Sequence, residues 1–172
     1  MIRITLSLAL VATLLGCSTS PPQSLDPMDF DPEQAPKAHP VQMYYYSQHL
    51  LESGKMNEAA FWFYAGQLRY RVHLTARPNL PADQDPALFT SLNSVLGREV
   101  NEYIGGDPSE WERVIERVLN WDAQTPNDFT PKDKFPSAHR GVREGLRGLW
   151  EYIHENHDEI REQRAASGLD NR

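Results

Sequence analysis

The chain has 172 residues, of which 40% are hydrophobic and 24% charged, and its mean hydropathy is −0.60, so one water-soluble domain with appendages is the expected organisation. Its 24 acidic and 17 basic residues give a formal net charge of −7, which disfavours nucleic acid and anionic lipid headgroups as partners. Cys17 is the single cysteine, which excludes an intramolecular disulfide and a thiolate metal site.

The first 16 residues have the composition of a secretory signal peptide. A basic start that ends at Arg3 precedes an apolar run at residues 4–15. A run of this length is shorter than the roughly 20 residues that a helix needs to cross about 30 Å of hydrocarbon. We therefore predict a cleaved signal peptide at residues 1–16 and not a transmembrane helix.

The end of that segment, Leu14-Leu15-Gly16-Cys17, resembles the bacterial lipobox. In that family the cysteine is lipidated and becomes the first residue after cleavage. The resemblance implies a lipid anchor on Cys17 and a place in the cell envelope. Ser18, in the position where a retention signal has Asp, implies the periplasmic side of the outer membrane.

Residues 17–40 hold six of the 13 prolines of the chain, with polar residues between them. Few large apolar side chains are present with which this segment could form a core. It is predicted to be a disordered tether, and residues 41–172 are predicted to form a single helical domain.

From residue 41 onward, the apolar residues recur at helical spacing. Two helices are predicted at about 41–53 and 57–74, with Gly54 as the terminator of the first, and a third is predicted from Asp85 to before Gly105. Asp107 begins a capping-type start signal for a fourth helix, and a fifth long helix ends near Ser167. No run of residues has strand character. The predicted fold is all-α, with about five helices in a compact antiparallel bundle.

The first predicted hairpin, at about 41–70, has large and small residues in the order of a tetratricopeptide-type unit: Met43, Tyr46, Ser47, Leu50, Gly54, Met56, Ala59, Phe63 and Gly66. The resemblance is one repeat long, and no second copy follows at a fixed period. A single unit is more typical of a hairpin inside an ordinary bundle than of a binding solenoid. The family resemblance would imply binding of a peptide or a protein.

Consecutive aromatic residues at 44–46 and 61–64 suggest a binding surface on this hairpin. Residues next to one another on a helix cannot all face one core. The candidate protein-binding residues are therefore Tyr44, Tyr45, Trp62 and Phe63. The alternative is that other helices enclose the hairpin and bury these rings.

The last predicted helix carries two further candidate sites. His154 and His157 are three residues apart and could share a metal ion, although His157 also fits a histidine at the edge of the core. Arg140, Arg143 and Arg147 form a possible patch for an anionic partner, or pair internally with the excess of carboxylates. Gly141, Gly145 and Gly148 accompany them and predict that another helix approaches closely.

No motif of a catalytic nucleophile, a phosphate-binding loop or a carboxylate pair is found in the sequence, and no cofactor is predicted. We therefore expect a non-enzymatic, lipid-anchored envelope protein that binds another protein, as an adaptor or as an immunity-type protein that captures a basic enzyme. The alternative from another class is a metal-dependent hydrolase that uses His154 and His157.

Overall fold

The computed structural model describes residues 30–172, so Cys17, the signal peptide and the first part of the predicted tether lie outside the described residues. A short 3₁₀ helix at Pro32–Gln34 precedes six α-helices: α1 (Pro40–Glu52), α2 (Met56–Ala76), α3 (Asp85–Ile104), α4 (Pro108–Gln124), α5 (Pro136–Glu155) and α6 (His157–Ala166). No strand is present in this part of the chain. The predicted all-α bundle is confirmed. None of the described helices combines the length and the apolar character that a membrane crossing requires.

Helix α2 is the central element of the bundle, and it contacts α1, α3, α4 and α5. The turn between α1 and α2 contains Gly54 at φ +71°, a left-handed conformation that glycine adopts without steric cost. Gly66 lets the two helices of the hairpin approach each other, because a Cβ atom there would lie 3.1 Å from Cβ of Met43. The hairpin predicted from the sequence is therefore present and tightly packed.

The folded domain begins earlier than predicted, because residues 30–40 pack against the helices. The ring of Phe30 is buried and lies 5.3 Å from the ring of Trp62, and Ala35 and Ala38 are also buried. The amide of Asp128 donates a hydrogen bond to the carbonyl of Pro36. The proline-rich composition predicts a tether up to residue 40, but the second half of this segment has apolar side chains that reach the core. The predicted boundary at residue 41 is therefore wrong.

Helix ends follow local signals in two places. Asp107 caps α4 as predicted, since its side chain accepts a hydrogen bond from the amide of Glu110. The last predicted helix is in fact two helices, because the chain leaves helical geometry at Asn156 (φ −129°, ψ 30°). After this break, α6 packs on α4 and also contacts α5.

A buried carboxylate joins three of the helices. Asp122 of α4 is fully buried, with Oδ1 2.8 Å from Nε of Arg69 on α2 and Oδ2 2.6 Å from Nη1 of Arg143 on α5. The contact with Nε is an ion pair that lacks the direction of a hydrogen bond. The guanidinium of Arg69 also donates to the carbonyls of Thr125 and Pro126. The charge of Asp122 is thus balanced inside the protein, where water cannot solvate it.

Replacing Asp122 with Ala should lower the free energy of unfolding by about 3–5 kcal/mol, because it leaves Arg69 buried without its counter-charge. Urea denaturation followed by circular dichroism measures this loss. Asp133→Ala, the same change at an exposed position, is the matched control. A loss for Asp122→Ala that equals the control would contradict the role assigned to this carboxylate.

Candidate functional site

The aromatic residues predicted to bind a partner are mostly inside the protein. The exposed fractions of Tyr44, Trp62 and Phe63 are 0%, 7% and 1%, and only Tyr45 of the four is partly exposed. Helix α2 has neighbours on several sides, so its consecutive rings face different helices and are all covered. The expectation of a surface formed by these four residues is therefore wrong for three of them.

The three arginines of α5 have different surroundings. Arg143 pairs with Asp122 and donates to the carbonyl of Leu119, which is the internal pairing that was the alternative. Arg140 and Arg147 are exposed and make no ion pair with another described residue. The three side chains therefore do not act as one patch.

His154 and His157 both reach Glu112 of α4. Nδ1 of His154 lies 3.1 Å from one carboxylate oxygen, and Nε2 of His157 lies 3.1 Å from the other. Among the described residues, one group of three histidine or acidic side chains has its possible metal-ligand atoms within 4.8 Å of one another, and this group does not include His154 or His157. The two histidines therefore bind opposite sides of one carboxylate, with no third ligand atom from the described residues close enough to complete a metal site.

That other group is His39, His73 and Asp85, which the sequence did not predict. Asp85 lies at the start of α3, and its carboxylate accepts hydrogen bonds from the hydroxyl of Tyr70 at 2.8 Å and from Nε2 of His73 at 2.9 Å. Nε2 of His39 lies 3.4 Å from the same carboxylate. The cluster joins the start of α1 to α2 and α3.

The hydrogen bonds of the two imidazoles are the reverse of those that a metal site requires. Nδ1 of His39 accepts from the amide of Val41, and Nδ1 of His73 faces the guanidinium of Arg77, which can only donate. The proton of each neutral ring is therefore on Nε2 and points at Asp85. A metal-bound histidine needs a free lone pair there and normally donates from its other nitrogen. We infer that this cluster is a structural connection between helices.

An open apolar groove between α2 and α5 is the described feature best suited to binding. Its volume is about 610 Å³, within the range of ligand sites. The lining comprises Gln67, Leu68, Arg71, Leu74 and Thr75 from α2, and Ser137, Ala138, Gly141, Val142, Gly145, Leu146 and Leu149 from α5. Arg71 is the charged residue of this lining, and its guanidinium lies 5.6 Å from the ring of Phe89 on α3. Because α3 and α5 do not contact each other, the face of α2 between them is left uncovered.

Gly141 and Gly145 of α5 line this groove, and Gly148 follows them along the same helix outside the lining. A Cβ atom added at Gly141, Gly145 or Gly148 would have nothing within 4 Å. The prediction that they allow close packing against another helix of the chain is therefore wrong for the described residues. Three glycines within one helix each cost up to about 1 kcal/mol relative to alanine, and no contact within the described structure accounts for this cost.

Comparison with known proteins identifies no relative: no family model matches the chain, and neither a curated protein nor a solved structure matches it. Function must therefore be argued from the groove and from the sequence that precedes the domain.

The domain should lose stability as the pH falls below about 6.5, the ordinary pKa of histidine. Burial lowers the pKa of His39 and of His73, and outweighs the opposing effect of Asp85. Between pH 6.5 and the lower folded-state pKa, the unfolded chain takes up a proton that the folded chain does not, so the unfolded state is favoured.

Urea denaturation between pH 7.5 and 5.5 measures this dependence, and His73→Gln should make the decline shallower. An NMR titration in which the ring of His73 changes protonation at or above pH 6.5 in the folded protein would contradict the argument.

Gly145→Ala and Gly148→Ala should each raise the free energy of unfolding by about 0.5–1 kcal/mol, because alanine favours the helix and its methyl group meets no other atom. Gly66→Ala in α2 is the control with the opposite sign, since its Cβ would lie 3.1 Å from both Met43 and Tyr44. Thermal and urea denaturation of dilute protein measure these changes. A loss of stability at position 145 or 148 would mean that these positions are not open.

Proposed function

We propose that this protein is a lipid-anchored lipoprotein of the bacterial envelope, on the periplasmic side of the outer membrane, and that its helical domain binds another protein without catalysis. Two features support the proposal. The segment Leu14-Leu15-Gly16-Cys17 supports the anchor, and the uncovered groove between α2 and α5 supports the binding role.

The groove is the observation that carries the binding role. Its lining is mainly apolar, its walls are two helices, and the glycines of α5 would let a second backbone approach closely. Grooves of this kind accept an amphipathic helix, whose apolar face replaces water along the floor. The binding surface is thus assigned to α2 and α5, and not to the buried rings of the first hairpin.

A hydrolytic role has less support. The contacts of His154 and His157 are used on Glu112, and the hydrogen bonds of His39 and His73 leave no lone pair directed at a metal ion.

The anchor is tested by Cys17→Ala, which should move the protein from the membrane fraction of its host to the soluble periplasmic fraction, because the lipid can no longer be attached. Immunoblotting of the two fractions measures the shift. Retention of the variant in the membrane fraction would contradict the anchor.

Binding through the groove is tested by Gly145→Phe, whose ring has room in the groove and would exclude a partner. Glu144→Phe adds the same ring at the next position, outside the groove lining, and is the matched control. After chemical crosslinking of the host envelope, a complex of higher mass should be present with the wild type and the control and lost with Gly145→Phe. A wild-type protein that forms no complex would contradict the binding role.

A further inference from the structure

We propose that the groove is occupied by α5 of a second copy of this chain, in an antiparallel contact about a two-fold axis. The inference rests on the proposed function, since it takes the groove as the binding surface and names its occupant. Steric and charge complementarity both favour a second copy.

One side of α5 has a stripe of residues whose spacing is the same in both directions along the helix. Residues at spacings of 3, 4, 3, 4 and 3 share one face of a helix. In α5 this stripe consists of Ala138, Gly141, Gly145, Gly148, Tyr152 and Glu155. All of these residues except Ala138 are exposed, and Tyr152 is one of the few large apolar residues that the described structure leaves exposed, at 43%.

Antiparallel pairing of two such stripes matches large residues with small ones. Because the spacing is symmetric about the middle of the stripe, Gly145 lies opposite Gly148 of the second copy. Tyr152 then lies opposite Gly141 of the second copy, where an added Cβ atom would have nothing within 4 Å and a ring has room. The contact would repeat by symmetry, as expected for an isologous interface. It also explains why this helix retains glycines that destabilise the isolated chain.

The charges at the ends of the groove also match. Helices α2 and α5 are antiparallel: Arg69 and Arg143 meet at Asp122, and Arg77, at the end of α2, lies 5.3 Å from the ring of Phe135, just before the start of α5. Arg71 follows Arg69 by two residues and Gly141 precedes Arg143 by two, so Arg71 lies at the level of Gly141. In this register Tyr152 of the second α5 lies at the level of Arg71, and Glu155 follows one helical turn beyond it, opposite Ala138.

Neither Arg71 nor Glu155 makes an ion pair with a described residue of its own chain, and both are exposed. In the two-fold contact, each Arg71 therefore pairs with Glu155 of the other copy. The lining of the groove carries a positive charge on Arg71 and no acidic residue. Glu155 of the second copy supplies the negative charge that complements it.

Charge exchange tests the pairing in the lipidated full-length protein. Two copies with different epitope tags are expressed together in the host, extracted in mild detergent and purified through one tag. Wild-type copies should purify together. Arg71→Glu in both copies, or Glu155→Arg in both, should reduce the recovery of the second tag about tenfold, because attraction becomes repulsion at both ends of the contact.

The decisive sample combines one copy carrying Arg71→Glu with one copy carrying Glu155→Arg. Each inter-copy pair then again joins an acid and a base, and recovery should return to the wild-type level. Arg98→Glu in both copies, an equal charge change at an exposed position of α3, should leave recovery unchanged. Circular dichroism of each purified variant establishes that it is folded. Wild-type copies that do not purify together, or a mixed pair that is not restored, overturn the proposal.

A photo-crosslinking amino acid at position 145 separates this inference from the proposed function. A crosslink between two copies of the chain supports both. A crosslink to a different protein overturns the second-copy assignment and leaves the groove as a protein-binding surface. No crosslink to any protein overturns both.

Discussion

The buried carboxylate of Asp122 fixes the arrangement on which the other features depend. It lies between Arg69 of α2 and Arg143 of α5, so it fixes the register of these helices relative to α4. Burying these charges is costly, and hydrophobic residues of the same volume could be as stabilising. What the ion pairs add is specificity, because a shift of either helix by one turn would leave a charge unpaired inside the protein. The groove and its glycine face result from this fixed register.

Much of the fold could be predicted from the sequence, because the signals for it are local. Helical periodicity, the Asp107 cap and the Gly54 turn each depend on residues within a few positions of one another. The break at Asn156 was missed because the apolar period continues across it. The early start of the domain was missed because Phe30, Ala35 and Ala38 are few among the prolines, although each of them reaches the core.

The candidate sites were less predictable, because they combine residues that are far apart in the chain. His39 and Asp85 are 46 positions apart, and the sequence around Asp85 indicates only the start of a helix, whereas its carboxylate accepts from Tyr70 and His73. The aromatic runs were assigned to the surface because one core cannot cover all faces of a helix, but α2 has neighbours on several sides. The glycines of α5 predict close packing against another helix, whereas in the structure they are open. The space beside these glycines depends on where the other helices lie, so it could be learned only from the structure.

The position of Trp62 has an optical consequence. Trp62 belongs to α2 and Trp121 to α4. Their indole rings lie 5.7 Å apart at an angle of 72°. Two indoles at this separation couple their electronic transitions, and the chirality of the pair depends on how the two helices are docked. Near-ultraviolet circular dichroism therefore monitors the docking of α4 on α2 separately from helix content. Loss of the near-ultraviolet signal with a retained far-ultraviolet signal would be the signature of a state whose helices persist without their native packing.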